Sequence, residues 1–432
     1  MPSGGRADAA GDRAGPGEVA GGGGLGGPVD LGDLGLDEGG HLLVARALAG
    51  LRPGERLAVS GTHPALGLHL AAWCREHGHR VAEDPEPARA ASVAETAGPG
   101  ATVTVIRGTA GDRRWHDAER AGAASGPPAA RASQAWGLAA RGALVEAGGP
   151  PLGARWSERD YVWADIAPQL YAAAAASQWD PATAVDWTVQ GGPVPADIER
   201  AVVQLMTYLV ENEQAALIIP ARLLSQLHPH YREVMQLLAS QAADEARHVE
   251  VFTRRALLSG GEPGTSSAGG RASLQTLLDE PDFTTAAFLL SVLGEGTFLD
   301  LLRFIADHAP DQVTADVTRL ALRDEARHVA FGVAHTAHLA RSDRHYLGTL
   351  RQAVERRHSA LRDTAGLNAG VFDALVLLAA GSWSPEAIRH GWRAVRDLQS
   401  RMDDGRRRRL AYIGFPDDEA AALSALHTRN FM

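Results

Sequence analysis

The chain has 432 residues, enough for two or three domains with their own cores, and its 45% hydrophobic content is that of an ordinary globular protein. A formal net charge of -10 argues against a polyanion as the main partner, so no nucleic acid is expected. A single cysteine, Cys74, excludes an internal disulfide and any cysteine-built zinc or iron–sulfur cluster.

Residues 1–27 are dominated by Gly, Ala and Pro and are expected to be disordered. They lack the apolar core of a signal peptide, and no apolar stretch approaches the roughly 20 residues that span a bilayer, so a cytoplasmic protein without membrane attachment is expected. A small α/β sandwich follows over 28–108. Its elements are a helix at 41–51, a short strand at 56–60, a helix at 64–77 and a strand at 102–107. Residues 109–155, rich again in Ala, Gly and Pro, read as a linker with one loose helix near 134–146. From 156 to 432 the pattern is almost wholly helical. Long amphipathic segments run over about 195–227, 230–259, 281–308 and 310–341, with further helices at 343–380 and 385–411. The glycine-rich break at 259–270 is the one long connection, as in a bundle with a single crossover. The run Arg406 to Arg409 lies beside Asp403 and Asp404 and reads as a solvated helix face.

One pentapeptide occurs twice: Asp244-Glu245-Ala246-Arg247-His248 and Asp324-Glu325-Ala326-Arg327-His328. Glu and His three residues apart share a helix face, so one helix can bring a carboxylate and an imidazole to one site. A single pair of this kind is common on solvated surfaces; its repetition in two long amphipathic helices is not. A two-metal bundle also needs one carboxylate from each of two other helices. Glu213 lies in the apolar stripe of Met206, Leu209, Ala216 and Leu217, whereas Glu211 is about 200° away around the helix. Glu295 is the only acid between Asp282 and Asp300, amid Leu289, Leu290, Leu293, Phe298 and Leu302. A buried acid is costly unless its charge is neutralised, and a metal ion would do that. Four carboxylates and two imidazoles without thiolates suit two iron ions, with manganese possible, better than zinc.

These residues resemble the ferritin-like di-iron carboxylate superfamily, with its helix order Glu, Glu-x-x-His, Glu, Glu-x-x-His. The resemblance implies a mainly α fold: a ferritin-like four-helix bundle with extra C-terminal helices behind the small α/β domain. The Asp-Glu-x-x-His form is similar to that of bacterial multicomponent monooxygenase hydroxylases. By that likeness Asp244 would orient His328, Asp324 would orient His248, and Arg247 and Arg327 would balance the buried acids. Two departures are visible: Leu299 stands where those hydroxylases have a threonine, with Thr297 facing elsewhere, and Ala321 stands where aryl-amine N-oxygenases have a third histidine. Gly294 and Gly296 flank Glu295 and allow a local helix bulge, room for substrate or plain helix packing. His335, His338 and Tyr208 read as structural. Trp383, Trp392 and the helices after 343 are expected to wall off a pocket.

The segments Pro28 to Leu31, Leu51 to Glu55 and Trp73 to His79 resemble the TusA-like sulfur-carrier family. That family works through a Cys-Pro pair, and here Asp37-Glu38-Gly39-Gly40 occupies the region. A docking or regulatory module is therefore expected, with Cys74 a packing residue. The functional expectation is an O2-dependent non-haem di-iron oxygenase or oxidase acting on a small-molecule or carrier-bound substrate. It would draw electrons from an external reductase or the substrate itself, and its expected assembly is a homodimer. The alternative is iron storage or peroxide removal of the ferritin or rubrerythrin kind.

Overall fold

A computed structural model describes residues 26–82, 100–109, 115–188, 194–361 and 369–427; the segment 1–25, expected to be disordered, lies outside these. The chain divides into two compact units, Met1–Glu119 and Arg120–Met432.

In the first unit, strands β1 (Val29–Asp30), β2 (Arg56–Gly61), β3 (Arg80–Val81) and β4 (Ala101–Ile106) form a sheet of order β1-β2-β4-β3. β1 runs parallel to β2, and β4 is antiparallel to both β2 and β3. Alternation along β2 sends Leu57 and Val59 inward to meet α1 (Gly40–Ala49) and α2 (Leu66–Glu76) through Val44, Leu48, Leu66 and Leu70. Cys74 is buried in this core, and burial pushes its thiol up to about 11, which makes it inert.

The second unit is helical, and its centre is four helices. These are α4 (Ala196–Leu224), α5 (Arg232–Ala256), α7 (Phe283–Asp307) and α8 (Gln312–Ser342). α3 (Ala167–Ala176) packs on α5, and α6 (Ala268–Leu278) lies in the crossover between the pairs α4–α5 and α7–α8. α7 and α8 start on aspartate caps, with Asp282 accepting from Thr285 N–H and Asp311 from Thr314 N–H, each at 2.8 Å. By length and hydropathy α7 meets the requirement for a membrane span, against the expectation that no stretch would. However, 83% of its apolar window is buried in protein. This is a four-helix bundle with the one crossover that the glycine-rich break predicted.

Two apolar clusters fill the bundle, and on each central helix the charged residues fall between them. On α4, Glu213 separates Leu209 of one cluster from Ala216 of the other. Glu245 and His248 lie between Leu238 and Val251, Glu295 between Leu293 and Phe298, and Glu325 and His328 between Ala321 and Phe331. A polar layer is thus enclosed above and below by packed hydrocarbon, where local dielectric is low.

Beyond the core lie α9 (Tyr346–Leu361), α10 (Ala369–Ala380), α11 (Pro385–Ile413) and α12 (Asp417–His427); α12 had no counterpart in the sequence reading. Three expectations need correction. Residues 120–155 carry a single 3-10 turn, Gln134–Trp136, in place of a loose helix. They are also tied to the bundle: Ala129 N–H donates to His230 Nε2 at 2.9 Å, and Arg141 pairs with Glu233 at 2.6 Å. The arginine run is not a solvated face throughout. Arg407 and Arg408 are exposed, but Arg406 is buried and Arg409 half-buried, because residues three apart share the inner face of α11. Finally, Trp383 and Trp392 wall off no pocket at the polar layer. They are 65% and 52% exposed, and they line a surface groove with Asp197, Arg200 and Gln204.

Candidate metal centre

The helical periodicity that places Glu and His of each repeat on one face also places both repeats opposite each other. Nδ1 of His248 lies 3.0 Å from Glu245 Oε2, 3.3 Å from Glu325 Oε1 and 3.6 Å from Glu213 Oε2. Nδ1 of His328 lies 3.0 Å from Glu245 Oε1 and 3.4 Å from Glu325 Oε2. Glu245 and Glu325 therefore each present one oxygen to either imidazole. Two groups result, Glu213–Glu245–His248–Glu325 and Glu245–Glu295–Glu325–His328. In each group the donor atoms lie within 4.8 Å of one another, and the two groups share Glu245 and Glu325. All six residues expected as ligands are here, and all are buried.

Behind the imidazoles, Nε2 of His328 lies 3.2 Å from Asp244 Oδ2, and Nε2 of His248 lies 3.4 Å from Asp324 Oδ2. Arg327 donates to Asp324 at 2.7 Å and to Asp244 at 3.1 Å. Arg247 pairs with Asp244 and lies 3.7 Å from Asp324. Two residues outside the sequence reading join them. Trp179 Nε1–H donates to Asp324 Oδ2 at 2.6 Å, and its ring stacks on His248 with Arg247 over it. Gln241, one turn before Glu245, donates to Glu295 Oε1 at 3.0 Å. The place of Gln241 on the Glu245 face was a readable signal; Trp179 lies outside any helix and offered none.

The charges are unbalanced. Burial, and then the charges of Glu325 and Glu245, push the Glu213 carboxyl far above the usual range; burial and Glu325 do the same to Glu295. Burial would also raise Glu245, but His328 and His248 outweigh it and hold it low. Burial would lower the two imidazoles, yet the surrounding carboxylates raise both well above the usual histidine range. One oxygen each of Glu213 and Glu295 lacks a hydrogen-bond partner, and Glu245 Oε1 and both Glu325 oxygens face nothing but the imidazole Nδ1 atoms among the described residues. Buried anionic oxygens without donors are rare and costly. Two divalent ions would supply the missing contacts and cancel the four glutamate charges, so the residues present fit a two-metal site.

The helix that carries Glu295 is not regular. Phe288–Glu295 is π-helical, so the Gly294–Glu295–Gly296 sequence does mark a bulge. Thr297 is buried and donates to Leu293 O at 2.6 Å, an intrahelical contact. His335 bonds Trp163 O and Thr284, and Tyr208 stacks on Phe298; neither belongs to the two donor groups. His338 contacts Asp160 at 3.3 Å. A narrow cavity (≈ 30 Å³) touches the cluster at Glu213, Glu295 and Glu325 and is walled by Leu289, Leu290 and Phe298.

No protein-family model matches the chain, and no curated protein matches it. Solved structures do. An R2-like ligand-binding oxidase from Sulfolobus acidocaldarius is 15% identical over 56% of this chain and 91% of its own, with a TM-score of 0.38. A variant R2-like ligand-binding oxidase with an aerobically reconstituted Mn/Fe cofactor is 18% identical over 55% of this chain and 94% of its own, with a TM-score of 0.41. At these scores the likeness carries no argument about chemistry, which rests on the residues themselves.

Proposed function

We propose that the protein is an O2-dependent non-haem di-iron oxygenase or oxidase acting on a small-molecule or carrier-bound substrate. The observation that carries the reading is the pair of shared carboxylates: Glu245 and Glu325 each face both imidazoles, inside two overlapping donor groups. Glu213 and His248 would complete one ion's ligands, and Glu295 and His328 the other's. Oxygen and imidazole donors without sulfur favour iron, or iron with manganese. Such a pair supplies O2 reduction coupled to oxidation of an organic substrate.

The chain's own residues do the rest. Asp244 and Asp324 accept the Nε2 protons of His328 and His248, which leaves both Nδ1 lone pairs aimed into the cluster. Arg247 and Arg327 neutralise those aspartates from outside. Leu289, Leu290 and Phe298 exclude bulk water from the cavity side. With one cysteine the chain cannot build an iron–sulfur relay, so electrons would come from a separate reductase or from the substrate.

Protein purified from iron-replete cells should hold about two irons per chain. His248→Ala and His328→Ala should each lose much of one. Unchanged metal content in both variants, or no metal in the wild type, would sink the reading. Many irons per chain together with a large shell by native mass would favour storage instead.

A further inference from the structure

We propose that Gln241, on α5, is a positioning residue of the metal centre: it reserves one oxygen of Glu295, and so leaves the ion held by Glu295 and His328 as the one open to a small exogenous ligand. The inference rests on the two-metal reading above and adds which of the two ions is open.

Gln241 stands one turn before Glu245 on the same helix face and is buried. Leu237 and Leu238 fill that face one turn earlier. A leucine or methionine would pack at 241 as well, whereas a buried amide is costly unless it is bonded. Its Nε2–H donates to Glu295 Oε1 at 3.0 Å, on another helix of the bundle. A bond that only tied α5 to α7 could end on any polar group of α7. Ending on a ligand carboxylate, it fixes which oxygen faces the metals. The Ser291 hydroxyl, four residues before Glu295, acts on the same carboxylate. Glu213 has no such neutral partner among the described residues: its Oε1 is unbonded, and its Oε2 lies 3.6 Å from His248 Nδ1.

This difference divides the cluster unevenly. The Glu213 group offers His248 Nδ1, Glu245 Oε2, Glu325 Oε1 and both Glu213 oxygens. The Glu295 group offers His328 Nδ1, Glu245 Oε1, Glu325 Oε2 and, with Oε1 on Gln241, only Glu295 Oε2. Five donor atoms thus serve one ion and four the other. The ion with four keeps the additional position for a ligand that the protein does not supply.

Titration of the Co2+-loaded protein with azide, followed by visible absorption, tests this. Co2+ accepts the same nitrogen and oxygen donors, and its absorption reports a change of ligand. Wild-type protein should bind azide saturably at one ion of the two. Gln241→Met, close in size but without a donor, frees Glu295 Oε1 to take the open position. Azide affinity should then fall roughly tenfold or more at unchanged cobalt content, the weight of one hydrogen bond to a charged group. Gln241→Asn, whose amide is too short to reach Glu295, should behave the same way. Azide binding at neither or at both ions of the wild type overturns the proposal, and so does wild-type affinity in Q241M and Q241N. Loss of cobalt from both variants overturns it as well, since Gln241 would then support the fold and not the choice of oxygen. Oxygen uptake by the iron-loaded protein reports separately on the oxidase. The expected azide results without uptake would keep the role of Gln241 and remove the oxidase; uptake with unchanged azide affinity in the variants would do the reverse.

Discussion

Nε of Arg409, on α11, donates to the carbonyl of Val292 at 2.9 Å, inside the π-helical segment that ends on Glu295. A π-turn shifts the backbone ladder by one residue and is held only where its surroundings over-determine it. The arginine comes close enough that a Cβ on Gly296 would meet its guanidinium at 2.5–2.8 Å. Gly296 thus leaves room for the cation that braces the carbonyl three residues before Glu295.

Removing that brace should therefore be felt at the metal centre. Arg409→Met is expected to cost about 1–3 kcal/mol, the penalty for leaving a partly buried carbonyl without its donor. It should also weaken the metal group that depends on Glu295 more than the one that depends on Glu213. Urea unfolding and iron titration would check both. Wild-type iron content with a stability loss would show that Arg409 supports the fold and not the register of Glu295.

The contrast between Glu295 and the arginine run shows what the sequence made legible. Acids at 213 and 295 stand out because an apolar helix face has no ordinary use for them, and the repeated Glu-x-x-His spacing names the remaining ligands. Arg406 and Arg409 were hidden inside a run of four, where local charge obscures period. The stripe of Met402, Gly405, Leu410 and Ile413 was the signal that the two face inward. Residues 120–155 were illegible for another reason. Several of their anchors are backbone groups, such as Ala129 N–H on His230 and the Ala130 carbonyl on Tyr231 Oη, and composition says nothing of these. Trp179 reaches Asp324 across 145 residues of sequence from outside any helix, a contact no spacing rule anticipates.

The crossed aspartate–histidine pairs predict matched losses. Asp244→Asn and Asp324→Asn should each lower metal affinity by roughly 10–100-fold, since an amide can present its N–H to the imidazole and disturb its tautomer. Each aspartate has two further donors, Arg247 and Arg327 on Asp244 and Trp179 and Arg327 on Asp324, so the two replacements should cost similar amounts. Competition with a chelator measures both. Equal affinities for the two variants and the wild type would show that the imidazoles are fixed by packing alone.

His335 predicts an acid sensitivity independent of the metals. Its Nδ1–H donates to Trp163 O at 2.9 Å and its Nε2 faces the Thr284 hydroxyl at 2.9 Å; burial lowers its pKa from 6.5 to about 4. Above pH 6.5 both folded and unfolded states hold it neutral. As pH falls from 6.5 towards 4, the unfolded chain takes up the proton first and stability drops, by about 3 kcal/mol in total. Comparison of denaturant midpoints for wild type and His335→Gln over this range isolates the effect. Parallel curves would refute it.

Metal loading should release protons. Without metal, Glu213, Glu295, His248 and His328 all have their pKa values raised well above normal, so at neutral pH the cluster holds protons that bound cations would displace. For the glutamates the folded pKa exceeds the unfolded one. The stability they contribute is full below about pH 4.5 and is lost as pH rises towards their folded values. The metal-free protein should therefore become less stable as pH rises above that point, and the loaded protein should not. Unbuffered anaerobic addition of Fe2+ under a pH-stat measures the release directly. Loading without net proton release would mean that the four carboxylates are already ionised in the metal-free state, with their charge balanced by groups other than the two histidines.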